Sequence, residues 1–342
     1  MLKIFEFKNY YKLLILIIII FITLSLSKAA LAYDRSNCVP FIKKKVEVKK
    51  TGQYMSQFVG EMASFNPCHS SVSFQPPSIN SPRLGEKPPV VILIHGGSGL
   101  ENYQRDAASV WRKEGFATLI FDAFEMNGLD SKSNLVRYGT ESDSKQKLIF
   151  TVSMTAYKWL LKNKEIDSSR LYFQGLSQGG NVAINIAGID DSKSIKAVIA
   201  EGAPSYGIGF PNKIKVPLMI LYGENDIYGT EGIPMYKIKG PCRWGSYFSM
   251  APEGTGKNCN RTNSAYHDLT ISPQEWFEKI KLQNQNVTMN FAKGGGHGVL
   301  FGEYKERKDN RGGRVFYSTS GAPRETREKT WSDLKQFFKS KL

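Results

Sequence analysis

Short, wholly apolar runs recur along this chain, each broken by glycine or an acidic residue, with amphipathic stretches between them. Residues 89–95, Pro-Val-Val-Ile-Leu-Ile-His, form one such run, which breaks into Gly96-Gly97-Ser98-Gly99. An unbroken apolar run of that length suits a parallel strand buried on both faces. Ala107, Ala108, Val110 and Trp111 follow at helix-compatible spacing. A second run, Ala117-Thr-Leu-Ile-Phe121, ends in Asp122. Over about 145–162 the residues Leu148, Val152, Ala156 and Leu160 recur every four positions, which predicts a helix. Leu171-Tyr172-Phe173 is a short strand, and a small-residue helical segment follows it. Residues 195–200 and 216–222 predict two further strands, and 287–291 a last one. The chain closes on an amphipathic helix with Trp331, Leu334, Phe337 and Phe338 on one face. Buried strands alternating with helices imply a doubly wound α/β domain over 88–342, with a mostly parallel sheet covered on both sides.

The first residues follow a different pattern. Lys3, Lys8 and Lys12 precede an apolar run over 13–26, and Ala30-Leu31-Ala32 fits a small-residue cleavage site. That combination predicts a signal peptide over 1–32 and a secreted or periplasmic mature protein, with an uncleaved anchor as the alternative membrane attachment. Residues 33–87 read as an N-terminal extension with strand character at 45–48. Export changes how the cysteines read. All four (Cys38, Cys68, Cys242 and Cys259) lie beyond the cleavage point, an even number that suits two disulfides in an oxidising compartment. The local pairing, Cys38 with Cys68 and Cys242 with Cys259, would staple two irregular segments. The second of these is a long glycine- and aromatic-rich insert over about 227–285, which reads as a cap. No cysteine or histidine spacing suggests a metal site.

Charge narrows the partners. The chain carries +15, and removing residues 1–32, with four lysines and one glutamate, leaves +12. The basic residues are scattered and accompany no nucleic-acid motif, so a solvated basic surface is the reading, with no nucleic-acid partner.

The chemistry collects at the strand ends, where open α/β sheets place their sites. Gly175-Leu176-Ser177-Gln178-Gly179 sits between an apolar strand and a small-residue helix, which is the nucleophile-elbow pattern. The turn is tight enough that a side chain at Gly175 or Gly179 would collide across it. A serine hydroxyl is a weak nucleophile and needs a base, which in turn needs an orienting carboxylate. Of the four histidines, His297 alone follows a predicted strand after the other members, in the glycine loop 294–298. His95 reads as structural, His69 lies in the extension and His267 in the insert. Asp226 is the expected orienter, with Glu224 and Glu201 as rivals. The N–H groups of Gln178 and of Gly97, with Gly96 as its neighbouring alternative, are expected to bind an oxyanion.

Residues 90–99, the Gly175–Gly179 elbow, Gly223-x-x-Asp226, Gly296-His297-Gly298 and the Trp331 helix together resemble the dienelactone hydrolase family of α/β-hydrolases. The resemblance implies cofactor-free hydrolysis of a small-molecule ester or lactone, with Ser177 as nucleophile, His297 as base and Asp226 as its orienter. Two departures stand out. Such hydrolases often use cysteine where this elbow has serine, and the insert lengthens the Asp226–His297 separation. A prolyl-oligopeptidase-type peptidase is the rival enzyme, though about 50 residues between signal and core cannot supply its extra domain. A silent hydrolase fold retained for binding is the rival from another class.

Overall fold

The computed structural model describes residues 65–82, 87–132, 142–189, 191, 193–205, 207–228, 232–237, 271–311 and 314–342, with the backbone of 47–50 and 56–59. The expected signal segment, with Ala32, and Cys38, Cys242, Cys259 and His267 lie outside the described residues, as does most of the expected insert. Cys68 sits in a turn, its N–H donating to Asn66 Oδ1 at 2.9 Å, so the expected pairings rest on partners outside the described set.

The core is a seven-stranded sheet. Its strands are β3 (Ser73–Gln75), β4 (Val90–Ile94), β5 (Ala117–Ile120), β6 (Leu171–Leu176), β7 (Ile195–Glu201), β8 (Leu218–Gly223) and β9 (Val287–Ala292). They run in the order β3-β5-β4-β6-β7-β8-β9. All neighbours are parallel except β3, which pairs antiparallel with β5 at one edge. Two antiparallel ribbons stand outside the sheet: β1 (Glu47–Lys50) with β2 (Ser56–Val59), and β10 (Lys305–Arg311) with β11 (Arg314–Ser320).

Alternation along each central strand explains the two layers. Val90, Ile92 and Ile94 join one apolar core, and Val91 and Leu93 the other. Successive strand residues point to opposite faces, so a run apolar at every position must be covered twice. On the first face lie α2 (Ser142–Leu160), α3 (Gln178–Ala187) and α4 (Pro273–Gln283), through residues such as Leu148, Val182 and Trp276. On the second lie α1 (Asn102–Lys113) and α5 (Arg324–Lys339), where Trp111 stacks on Phe338 at 4.8 Å between ring centres.

α4 departs from the sequence expectation. Residues 273–283 fall in the stretch read as insert, yet they form the helix that precedes β9 and pack Trp276, Phe277 and Ile280 into the core. The helix start is well specified. Ser272 Oγ accepts the Glu275 N–H, Glu275 returns a carboxylate to the Ser272 N–H, and Pro273 occupies the first turn.

Candidate active site

The chain leaves β4 to form β5 on one side and returns to form β6 on the other, so the strand order reverses between β4 and β6. A crevice opens outside the carboxyl ends of strands at such a point. Gly96 and Gly97 line it from β4, and Ser177 from β6. The next strand ends, in sheet order, carry Glu201 and Gly202, then Asp226, then His297.

Ser177 has φ 56° and ψ −122°, and is the non-glycine residue with positive φ among those described. Holding a side chain in that conformation costs on the order of 1–3 kcal/mol. The flanking glycines are steric requirements. A Cβ on Gly175 would strike the Gly179 carbonyl oxygen, and one on Gly179 would strike the His95 carbonyl oxygen. The Ser177 N–H donates to the Glu201 carbonyl at 2.8 Å, which fixes the elbow to β7. Gln178 begins α3, so its N–H lies in the first turn, at the positive end of the helix dipole.

The turn carrying Gly97 is pinned from beneath. His95 is fully buried; its Nε2 accepts the Ala123 N–H at 2.9 Å, so its Nδ1–H is the proton donated to the Gly96 carbonyl at 2.7 Å. Both ring nitrogens are engaged in holding the backbone. Asp122 does the same from the end of β5, accepting the N–H groups of Leu100 (2.8 Å), Phe124 (2.9 Å) and Glu125 (3.1 Å). Burial alone would raise its carboxyl; these three backbone donors hold it below the usual carboxylate value. Asp122→Ala would orphan three backbone donors. We expect a loss of about 2–4 kcal/mol in denaturant-induced unfolding, with Asp122→Asn losing less.

At the far side of the crevice, His297 Nδ1 lies 3.1 Å and 3.0 Å from the two carboxylate oxygens of Asp226. Both side chains are buried, Asp226 wholly. Burial disfavours the imidazolium, but Asp226 outweighs it, with Glu201 and Glu101 adding the same sign, and the His297 pKa is raised. The rivals for Asp226 point elsewhere. Glu201 bonds Tyr103 and the Leu300 N–H, and Glu224 accepts the Gly294 N–H at 3.1 Å.

Three supports have no counterpart in the sequence analysis. Thr319, at the end of β11, accepts the His297 N–H on its carbonyl at 3.1 Å. Its hydroxyl donates to the Asn225 carbonyl at 2.5 Å and accepts the Ile227 N–H at 3.2 Å, so it brackets Asp226. Tyr228 stacks on the imidazole at 4.6 Å between ring centres, inclined by 23°. Gly202, at φ 55°, lies under the His297 imidazole. A Cβ there would come within 2.8 Å of His297 Cε1 and 3.2 Å of Asp226 Oδ2. Only the positions of Gly202 and Tyr228, each within two residues of a residue already singled out, could have drawn notice in the sequence.

Residues 79–233 match the model of the dienelactone hydrolase family, a span that includes Gly97, Ser177 and Asp226 and ends before His297. No curated protein matches the chain. Among solved structures it is similar to a dienelactone hydrolase from Anabaena variabilis, at 15% identity over 79% of this chain and 91% of that one, TM-score 0.48. It is also similar to an esterase from Pyrococcus furiosus, at 19% identity over 75% and 84% of the two chains, TM-score 0.45. Similarity to the Pyrococcus horikoshii acylaminoacyl peptidase, at 15% identity and TM-score 0.46, covers 87% of this chain but 42% of that one. Residues 79–233 thus carry the dienelactone hydrolase family pattern, on a doubly wound sheet whose reversal point holds the elbow serine.

Proposed function

We propose that the protein is an exported carboxylic ester hydrolase working through Ser177, His297 and Asp226 and a covalent acyl-enzyme. The observation that carries this reading is the buried His297–Asp226 pair at 3.0 Å, on the same sheet edge as a serine held in a strained elbow. A carboxylate on Nδ1 fixes the imidazole tautomer with Nε2 unprotonated, which is the form a general base needs.

In the first half-reaction His297 removes the Ser177 Oγ proton as Oγ bonds to the ester carbonyl carbon. The resulting oxyanion accepts the N–H groups of Gln178 and Gly97. His297 then gives the proton to the departing alkoxide as the C–O bond breaks. A water deprotonated by His297 attacks the acyl-enzyme, and collapse returns the proton to Ser177 and releases the acid. The Tyr228 ring covers one face of the imidazole. No cofactor enters these steps.

Because the base must be neutral to act, its raised pKa sets the acid limb of the rate profile. With p-nitrophenyl acetate, kcat/KM is expected to rise with pH through a midpoint above the ordinary histidine value of about 6.5. Asp226→Asn removes the charge that raises it, so the midpoint should fall and kcat drop by about 10³–10⁴-fold. A flat profile from pH 5 to 8 would contradict His297 as the base. Export is supported by the basic-then-apolar start and Ala30-Leu31-Ala32. N-terminal sequencing of protein recovered outside the cytoplasm should begin at Tyr33.

A further inference from the structure

Glu201 ends β7, between the strand of Ser177 and the strand that leads to Asp226, and the steps above make no use of its side chain. Its carboxyl is wholly buried. One oxygen accepts the Tyr103 hydroxyl; the other accepts the Leu300 N–H at 3.4 Å, with the Val299 N–H also directed at the group. Val299 and Leu300 follow His297 by two and three residues, so this carboxyl holds the loop that carries the base.

The other end of the clasp is a directional chain. Trp111 Nε1–H donates to Gln174 Oε1 at 2.7 Å. Gln174 Nε2 therefore faces Tyr103 and donates to its oxygen at 2.9 Å. That leaves the Tyr103 proton for Glu201, which must accept it. Tyr103 belongs to α1, which follows the Gly96–Gly99 turn, and its ring lies 5.0 Å from that of Phe301 in the base loop. The Glu201 side chain thus connects α1 with the residues after His297, while the Glu201 backbone carbonyl accepts the Ser177 N–H.

A buried carboxylate is costly unless something compensates it. Here the compensation includes a group whose charge changes during turnover. His297 is faced by Asp226 from the end of β8, Glu201 from the end of β7, Glu101 from the start of α1, and the Tyr228 ring.

Resting on the hydrolase reading above, we propose that Glu201 is a second-carboxylate positioning residue for the base. It clasps the His297 loop to α1 through Tyr103, and its buried charge favours the imidazolium that forms as Ser177 loses its proton. Burial lifts the Glu201 carboxyl to about 7, against the lowering effects of Tyr103, the loop N–H groups and His297. The charge is therefore present on the alkaline side of neutrality, where the imidazole is also free to act as a base.

The test is an NMR titration of the His297 ring in the full chain, its resonance assigned by loss in His297→Gln. This readout needs no substrate, so it stands even if wild type fails to hydrolyse esters, an outcome that would sink the hydrolase reading alone. Glu201→Gln keeps a hydrogen-bonding group of the same size but removes the charge. The His297 midpoint is expected to fall by about 0.5 pH or more. With p-nitrophenyl acetate, kcat should fall about tenfold with KM within twofold. Tyr103→Phe removes the donor that keeps Glu201 ionised, so the midpoint should fall by less, and this variant serves if Glu201→Gln does not fold. A folded variant of either kind whose His297 midpoint matches wild type would overturn the proposal.

Discussion

Ser177→Gly is expected to yield a protein that is dead as an enzyme and more stable than wild type. The residue sits at φ 56° and ψ −122°, a region where an L side chain is strained and glycine is not. Removing the strain is worth on the order of 1–3 kcal/mol, and the greater chain entropy of unfolded glycine offsets about 0.5–1 of it. A net gain of about 1 kcal/mol follows. Ser177→Ala removes the same hydroxyl but keeps the strain, so it is the necessary control. Both variants should lose at least about 10⁴-fold in kcat/KM. In denaturant unfolding, glycine should be the more stable of the two. The reverse order would mean that the elbow conformation carries no strain worth the name.

Gly202→Ala carries the second large effect, with the opposite balance between stability and activity. A Cβ at this position would lie 2.8 Å and 2.9 Å from the imidazole Cε1 and Nδ1 of His297. The imidazole can swing away; the β7 backbone cannot. The cost to folding should stay near 1–2 kcal/mol, chiefly for an L residue at φ 55°. The cost to turnover should be about 100-fold or more, because a base displaced by an ångström no longer meets the serine proton. Steady-state kinetics beside a denaturant midpoint separates the two quantities. Near-normal turnover would show that His297 works from some other position than the one over Gly202.

Much of this architecture is written in the hydrophobic pattern, for a physical reason. Parallel strands covered on both faces are apolar at nearly every position, so β4 and β8 appear as unbroken runs, and β5, β6 and β7 as runs interrupted by Thr118, Gln174 and Lys196. The elbow is equally legible, because steric exclusion at Gly175 and Gly179 leaves glycine as the residue that fits. Other elements leave no such trace. β3 is a three-residue edge strand. β10, from Lys305 to Arg311, pairs only with β11 and has exposed residues from Lys305 to Lys308, so no burial pattern marks it. Yet the end of that ribbon supplies Thr319, which braces both the Asp226 and the His297 loops.

The choice among Glu201, Glu224 and Asp226 could not be made from spacing. All three end or follow a buried strand, and what separates them is side-chain direction. Asp226 turns to His297, Glu201 turns to Tyr103, and Glu224 turns out to Gly294. α4 was hidden for a different reason. Its apolar residues Trp276, Phe277 and Ile280 adjoin a long polar and glycine-rich stretch, and their periodicity is short against that background.

The proposal that Ser177 is a nucleophile activated by His297 can be checked by reacting the purified chain with a fluorophosphonate probe and mapping the modified peptide by mass spectrometry. Labelling is expected on Ser177, none in Ser177→Ala, and labelling slowed at least about 100-fold in His297→Ala. A folded wild-type protein that takes up no probe, or one labelled equally well after Ser177→Ala, would contradict it.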